Sequence, residues 1–165
     1  GSETINIASA VKRLIVNVTR NWSKNSILWN YAADPQFDPH TDNGGCSMCQ
    51  GAITIDGDKV TRNIAYYTIA HASKFIRPGS VRISSTDAFD PGVDITEDEE
   101  RAEIRRATVV EHSDVLPNVA FKTPEGKIVL VIANDSWSQQ TAKIQYNGRF
   151  VNLHLAPGSV GTFIW

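Results

Sequence analysis

Residues 118–135 read NVAFKTPEGKIVLVIAND, the pattern of two strands with a turn between them. The two apolar runs, NVAFK (118–122) and KIVLVIAND (127–135), are rich in the β-branched side chains that favour strands. The residues that separate them, Thr123-Pro124-Glu125-Gly126, are typical of a turn. This part of the sequence therefore predicts a strand hairpin.

Strand signals continue on both sides of this hairpin. They fall at VRISS (81–85), ATVVEH (107–112), AKIQYNG (142–148), RFVNLHL (149–155) and VGTFIW (160–165). Asn147-Gly148, between two such runs, is a strong signal for a two-residue hairpin turn. Short strands separated by turn residues predict an antiparallel β-sandwich over residues 79–165.

An acidic segment interrupts this series of strands around residues 87–105. It carries Asp87, Asp90, Asp94 and an EDEE run at 97–100. A solvated insertion is the simplest interpretation of such a charge run. A calcium loop is the alternative, but the segment lacks the glycine-punctuated Asp spacing of an EF-hand.

Helical spacing of apolar side chains appears twice in the N-terminal part of the chain. It predicts one helix over residues 4–20, for which Ser2 or Thr4 is a candidate N-cap. It predicts a second helix over 63–76, which Arg77-Pro78-Gly79 would end.

Two strand candidates and a long loop lie between these helices. SILWNYAA (26–33) is a compact apolar run, as expected of a strand buried on both faces in a parallel sheet. AITID (52–56) predicts a shorter strand, which Gly57-Asp58 turns back. The segment 34–51 is rich in Asp, Pro, Gly and Asn, and loops of this length are usually functional or disordered.

This α/β unit is too small to stand alone, because one strand cannot cover the apolar faces of two helices. We therefore expect the first 76 residues to be the end of a larger α/β domain. Association of a second copy of the chain is the alternative way to cover these faces.

Composition excludes some classes of partner. The net charge of −2 provides no basic field for nucleic acid or an anionic membrane. No apolar run approaches the roughly 20 residues that span a bilayer. We expect no nucleic-acid partner and no membrane span.

The segment GGCSMCQG (44–51) holds both cysteines of the chain, Cys46 and Cys49. A single CxxC supplies only two of the four ligands of a structural zinc site, and no second pair follows. A thioredoxin-like pair would open a helix, whereas β-branched residues follow here. A loop disulfide or two packed thiols is the leading interpretation, and metal and redox roles remain as alternatives.

Several motifs in order resemble the C-terminal part of glycoside hydrolase family 30, the glucosylceramidase-like enzymes. The N-terminal motifs are RNW (20–22), LWN (28–30), GGCxxC before ITID, and the helix end HASKFIRPGSVRI (71–83). LPNVAFKTPEGKIVLVIAND and LAPGSVGTFIW resemble the closing side domain of the family. The resemblance covers nearly the whole chain except about 87–114.

The resemblance implies an α/β remnant of a (β/α)8 barrel, with its last strand and flanking helices, followed by an antiparallel β-sandwich. Residues 1–78 would be the incomplete C-terminal end of the barrel. Residues 79–165 would be the sandwich side domain.

The resemblance also implies substrate-binding residues. Trp29 matches the tryptophan at the C-terminal end of the last barrel strand, which lines the sugar subsite in the family. Loop 34–51 would form part of the rim of the pocket, as loops do at the C-terminal ends of barrel strands. Ser47 is the nearest match to a polar residue that this loop contributes, and Cys46 and Cys49 would fix the shape of the loop.

No catalytic residue is expected within this chain. Retaining glycosidases use two carboxylates roughly 5 Å apart, and in the family both are glutamates that precede the first helix of this chain. Glu3 follows the position of the nucleophile and does not take its role. The chain alone is therefore expected to be inactive, with no cofactor and no metal.

The partners and location follow from the same resemblance. The substrate would be a β-linked carbohydrate or glycolipid, bound by the intact parent in an extracellular or periplasmic compartment. The remaining barrel, or a second copy, would cover the N-terminal part. The alternative function is a non-catalytic carbohydrate-binding or scaffolding sandwich module.

Other aromatic and histidine residues have competing interpretations. Trp22 and Trp165 are expected to pack. Trp137 lies in a sandwich turn and is a candidate to bind carbohydrate or a partner, or to shield a local strand. His71 is expected to pack or cap its helix, and His40 in the rim loop is more open to a functional role. Tyr66-Tyr67 are expected to anchor their helix to the rest of the barrel.

Overall fold

The computed structural model describes residues 6–41, 43–86 and 116–165. The helical elements are α1 (Ile7–Val11), a π-helical stretch (Lys12–Asn17), α2 (Val18–Arg20) and α3 (Ile64–Ser73). The strands are β1 (Ala32–Ala33), β2 (Ile53–Asp56), β3 (Lys59–Arg62), β4 (Val81–Ile83), β5 (Asn118–Lys122), β6 (Ile128–Ala133), β7 (Gln140–Tyr146), β8 (Arg149–Leu155) and β9 (Val160–Ile164). The predicted strand at 107–112 and the acidic segment around 87–105 fall outside the described residues.

The larger sheet has four strands in the order β4-β5-β6-β9, and all its neighbours are antiparallel. The β5–β6 pair sets Val119 opposite Val131 and Phe121 opposite Val129. Gly126 takes a positive φ of 83° in the turn between them. The predicted hairpin is therefore confirmed, and β6 is buried along its whole length.

The second sheet is the β7–β8 hairpin. Tyr146 pairs with Arg149 across the turn, and Asn147 and Gly148 both have positive φ, 48° and 74°. Positive φ at both central residues is the geometry that matches the twist of a tight hairpin. The two-residue turn predicted at this position is confirmed.

The first helix runs without a break from residue 7 to residue 20. Its N-cap is Asn6, whose side-chain oxygen accepts a hydrogen bond from the Ser9 backbone N–H at 2.8 Å. The expectation of a cap at Ser2 or Thr4 is therefore wrong. Asn is among the preferred N-cap residues, because its short side chain satisfies a free N–H of the first turn.

This helix packs on the large sheet. Val11, Ile15 and Val16 are at most 4% exposed and form one core cluster with residues of β5 and β6, namely Val119, Phe121 and Val131. Burial of each such side chain contributes about 1.5–3 kcal/mol. The large sheet therefore covers this part of the helix, and the expectation that the first 76 residues are the end of a larger α/β domain stays a prediction.

Helix α3 lies against the same core. Ala72 and Ile76 pack on the cluster from the α3 side. The His71 ring nitrogen Nδ1 lies 2.9 Å from the Thr162 hydroxyl of β9. The predicted segments 1–78 and 79–165 thus share one core in the described residues, and their division into two domains stays a prediction.

The predicted buried strand at 26–33 is wrong over most of its length. Only Ala32–Ala33 are in a strand, and Ile27, Trp29 and Tyr31 are 88%, 79% and 75% exposed. A strand needs a neighbouring backbone, and among the described residues β2 supplies one only near the end of this run. The run is apolar, but no segment among the described residues packs on Ile27, Trp29 or Tyr31.

A small sheet, in the order β1-β2-β3, completes the described fold. β1 and β2 pair in parallel, with Ala32 opposite Ile53 and Ala33 opposite Thr54. β2 and β3 are antiparallel, and Gly57 has a positive φ of 56° in the turn that joins them. The predicted strand at 52–56 and its turn are confirmed.

Candidate functional site

The candidate site begins at Trp29, which lies just before β1 in the exposed segment 27–31. The resemblance predicted this residue at the C-terminal end of a barrel strand. The structure instead places it ahead of the paired residues Ala32 and Ala33. Its ring is 79% exposed and therefore open to a ligand or to another polypeptide segment.

The rim loop, residues 34–51, leaves β1 and returns beside it. The Ala52 backbone N–H donates to the Asn30 carbonyl at 3.0 Å, and Ile53 donates to Tyr31 at 3.0 Å. Gly51 is buried at the return point, where a Cβ would lie 2.8 Å from the backbone of Ala32. Only glycine allows this approach, which fixes the base of the loop against the residues that follow Trp29.

Asn63 stabilises the base of the rim loop through hydrogen bonds. The sequence alone did not predict this role. Its side-chain Nδ2 donates to the Gly51 carbonyl at 2.8 Å and to the Thr54 hydroxyl at 2.9 Å. Its backbone N–H donates to the Ala52 carbonyl at 2.9 Å. An Asn ahead of a helix normally signals an N-cap, but this side chain makes no cap hydrogen bond.

Acidic residues of the loop have local structural partners. The Asp34 carboxylate accepts hydrogen bonds from the backbone N–H groups of Gln36 and Asp38, at 2.8 and 2.9 Å. The Asp38 carboxylate lies 2.8 Å from Nδ1 of His40. These contacts shape the first half of the loop.

The tip of the loop carries the cysteine pair. A disulfide joins Cys46 and Cys49, whose Cα atoms are 5.3 Å apart. Ser47 is exposed between them, and Met48 is 76% exposed. The hydrogen bonds described above join the base of the loop to the Trp29 segment, while Ser47 lies at the tip.

Asn30, next to Trp29, carries a buried acceptor. Its side-chain oxygen Oδ1 is inaccessible and accepts no hydrogen bond from the described parts of the chain. A buried amide oxygen without a donor costs free energy. The environment of Trp29 is therefore incomplete in its hydrogen bonding as well as in its packing.

Other aromatic candidates have their own contacts. Trp22 is 68% exposed, and the Arg82 guanidinium carbon lies 4.7 Å from its ring centroid. Trp165 stacks edge-on with Tyr146 at 5.7 Å. Tyr66 and Tyr67 contact each other edge-on at 5.4 Å. None of these contacts involves Trp29.

The partly buried position of His71 predicts that the free energy of unfolding depends on pH. Burial between α3 and β9 lowers the pKa of His71 below its usual 6.5, because the charged form loses hydration. The unfolded chain then binds more protons than the folded chain between the two pKa values. Stability is therefore complete above about pH 6.5 and falls as the pH drops towards the lowered folded-state pKa.

Urea unfolding of wild-type chain and His71→Gln between pH 7.5 and 5 tests this expectation. His71→Gln should lose part of the pH dependence, and His154→Gln on the exposed face of β8 should keep it. An identical pH dependence in wild type and His71→Gln would contradict the assignment.

The described ranges contain neither a metal-binding cluster nor a membrane-spanning helix. No group of three or more His, Cys, Asp or Glu residues there is arranged to hold a metal ion. No helix of residues 6–41, 43–86 or 116–165 is long and apolar enough to cross a membrane. A cleft of about 220 Å³ lies at the end of α3, lined by Lys74, Arg77, Glu125 and Lys127 among others, and it does not include Trp29.

Comparison with known proteins finds one family model that resembles the C-terminal part of the chain. Residues 105–163 match the family described as the glycosyl hydrolase family 30 beta sandwich domain. The C-terminal part of the chain is therefore similar to the β-sandwich domain of that family. The resemblance of the chain to the C-terminal part of a family 30 enzyme is confirmed.

The curated relatives are all named as endo-1,6-beta-D-glucanases. Endo-1,6-beta-D-glucanase neg1 of Aspergillus fumigatus is 36% identical over 70 residues, which are 42% of this chain and 14% of that protein. Endo-1,6-beta-D-glucanase BGN16.3 of Trichoderma harzianum is 34% identical over the same length, again 14% of that protein. The chain thus spans about one seventh of the length of these relatives.

Two solved structures share the fold over nearly the whole chain. The endo-beta1,6-glucanase BT3312 has a TM-score of 0.72 at 23% identity, covering 96% of this chain and 30% of that one. SrfJ from Salmonella typhimurium has a TM-score of 0.71 at 21% identity, covering 100% and 32%. At such identities the likeness establishes the fold alone.

Proposed function

We propose that this chain is the C-terminal part of a glycoside hydrolase that cleaves β-1,6-linked glucan, and that Trp29 supplies a sugar-binding platform. The names of the curated relatives support the substrate class. The observation that carries the proposal is the 79% exposure of Trp29 beside an anchored rim loop. Aromatic rings suit sugars, whose C–H faces stack on the ring while their hydroxyl groups bond at the edges.

The architecture we propose for the N-terminal part is the end of a (β/α)8 barrel, residues 1–78, joined to the sandwich, 79–165. Ile27 and Tyr31 are exposed apolar side chains that the rest of the barrel would cover. The curated relatives are far longer than the matched segment, which leaves room for such a barrel.

Catalysis in this proposal follows the retaining route. Two glutamates from the preceding part of the barrel would act as acid/base and nucleophile, about 5 Å apart, and would form a covalent glycosyl intermediate. This chain contributes binding: Trp29 under a sugar ring, and Ser47 as a hydroxyl partner on the rim loop. No cofactor or metal is required by this route.

An oxidising compartment fits the proposal. Disulfides persist in extracellular and periplasmic proteins and are rare in the reducing cytosol. The Cys46–Cys49 disulfide at the tip of the rim loop therefore supports an extracellular or periplasmic location. The resemblance suggested a glucosylceramidase-like activity. We propose β-1,6-glucan as the substrate instead, because the curated relatives are named as endo-1,6-beta-D-glucanases.

A matched pair of tryptophan variants tests the proposal in a polypeptide that includes the preceding barrel. Trp29→Ala should lower kcat/KM on a linear β-1,6-glucan about 30-fold or more, the cost of a binding hot spot. Trp22→Ala removes another largely exposed ring, one that lies under Arg82, and should change kcat/KM less than about twofold. Equal effects of the two variants would refute the assigned role of Trp29.

The alternative proposal, a non-catalytic carbohydrate-binding sandwich module, has one specific observation in its favour. Trp137, on the sandwich, is 96% exposed. A binding role there is compatible with a catalytic parent, and it is developed below.

A further inference from the structure

Trp137 is the most exposed of the large hydrophobic side chains in the described residues. It lies in the turn between β6 and β7, residues 134–139, which we call the Trp137 turn. Its ring is 96% exposed and therefore packs on nothing in the described parts of the chain. The suggestion that it shields a local strand is thus wrong.

The Trp137 turn is built around a buried side chain. Asn134 is 0% exposed, and its Nδ2 donates to the carbonyls of Ser138, Leu155 and Ala156 at 2.8, 3.0 and 3.0 Å. Its Oδ1 accepts from the backbone N–H and the hydroxyl of Ser136, at 3.1 and 2.7 Å. One side chain thereby ties both sides of Trp137 to the end of β8.

A second set of hydrogen bonds closes the turn on its outer side. Gln140 Nε2 donates to the Ser138 hydroxyl at 2.8 Å and to the Ser136 hydroxyl at 3.3 Å. An apolar ring is therefore held at the apex of a turn with a defined shape. Such preorganisation lowers the entropic cost of binding a ligand.

The low charge of the Trp137 turn indicates which class of ligand it could bind. The turn has a single charged residue, Asp135, and Lys12 Nζ of the first helix lies 2.7 Å from its carboxylate. The residues that neighbour Trp137 in the sequence, Ser136, Ser138 and Gln139, are polar and uncharged. This surface suits a neutral, hydroxyl-rich ligand and offers no field to an anionic one.

We infer that the Trp137 turn is a carbohydrate-binding site that holds a neutral β-glucan chain on the β-sandwich, apart from the Trp29 site. A protein partner would need about 800 Å² of its surface to dock stably, whereas a sugar can stack its C–H face on one exposed aromatic ring. The choice of glucan rests on the proposed function, and the existence of the site rests on the exposure and anchoring of Trp137.

Affinity electrophoresis of the 165-residue chain in native gels containing linear β-1,6-glucan tests this site. Trp137→Ala should weaken retardation about tenfold, and Trp137→Phe should retain most of it because a ring remains. Phe150→Ala is the matched control, since Phe150 is 65% exposed on β8 but has Lys143 Nζ 4.5 Å from its ring centroid. That control should migrate like the wild type, and all variants should keep the wild-type Tm.

Two results would overturn the inference. One is a wild-type chain that is not retarded by linear β-1,6-glucan, β-1,3-glucan, cellulose or xylan. The other is retardation that Trp137→Ala leaves unchanged. If Trp137→Ala loses retardation while the barrel-containing polypeptide cleaves no glucan, the site stands and the proposed hydrolase function fails.

Discussion

Replacing Ile15 by alanine is expected to lower the free energy of unfolding by about 3 kcal/mol. Ile15 is 4% exposed and lies in the cluster that joins the first helix to β5 and β6. Removal of three methyl or methylene groups from such a site loses transfer free energy and leaves a cavity, at a cost of about 2–5 kcal/mol. The effect is large because the helix and the sheet share this core.

Ile27→Ala provides the matched control. It removes the same atoms from a side chain that is 88% exposed, so its effect should stay within about 0.5 kcal/mol. Urea unfolding of both variants, followed by far-UV circular dichroism, measures the difference. Similar losses in the two variants would mean that the first helix does not pack on the sandwich as described.

Asn134→Ala is expected to destabilise the chain by a similar amount, about 3 kcal/mol. The substitution removes the donor for three carbonyl groups and the acceptor for two groups of Ser136. Buried polar groups left without partners cost about 1–3 kcal/mol each, and water can reach some of those near the turn. The loss should therefore exceed that of an ordinary surface substitution several-fold.

Asn152→Ala is the control for this prediction. Asn152 is exposed on β8 and has Lys143 as its cross-strand partner, so the free energy of unfolding should change by less than about 0.5 kcal/mol. Differential scanning calorimetry of the two variants measures the contrast. A Tm for Asn134→Ala within one or two degrees of the control would show that the network is not structural.

Local patterns predicted the elements whose signals are local. The Asn147-Gly148 turn, the β5–β6 hairpin and both helices come from short-range chemistry, and the structure has them at nearly the predicted positions. The run at 26–33 shows the limit of such patterns. Its apolar composition predicted burial, but burial depends on what lies opposite, and no described segment covers Ile27 or Trp29.

Long-range polar contacts were beyond the reach of the sequence. The side chains of Asn63 and Asn134 each form hydrogen bonds to segments distant in the chain. The residues next to them in the sequence contain no signal that predicts these partners. The sequence also did not predict which element packs against the apolar face of the first helix. The stripe through Val11 and Ile15 was recognised, but the sandwich sheet that receives it was not.

The candidate site was predicted in part from resemblance. Trp29 and the rim loop were singled out from motif order, and the structure adds how the base of the loop is anchored through Gly51 and Asn63. The roles of Trp29 and Ser47 in sugar binding stay predictions.

Hydrolysis of linear β-1,6-glucan by this chain alone, and by a polypeptide that adds the preceding barrel, tests the central proposal most directly. Product formation is followed by the release of reducing ends. We predict no turnover by the 165-residue chain and cleavage with retention of the anomeric configuration by the longer polypeptide. Turnover by the pure 165-residue chain, or an inactive folded longer polypeptide, would contradict the account.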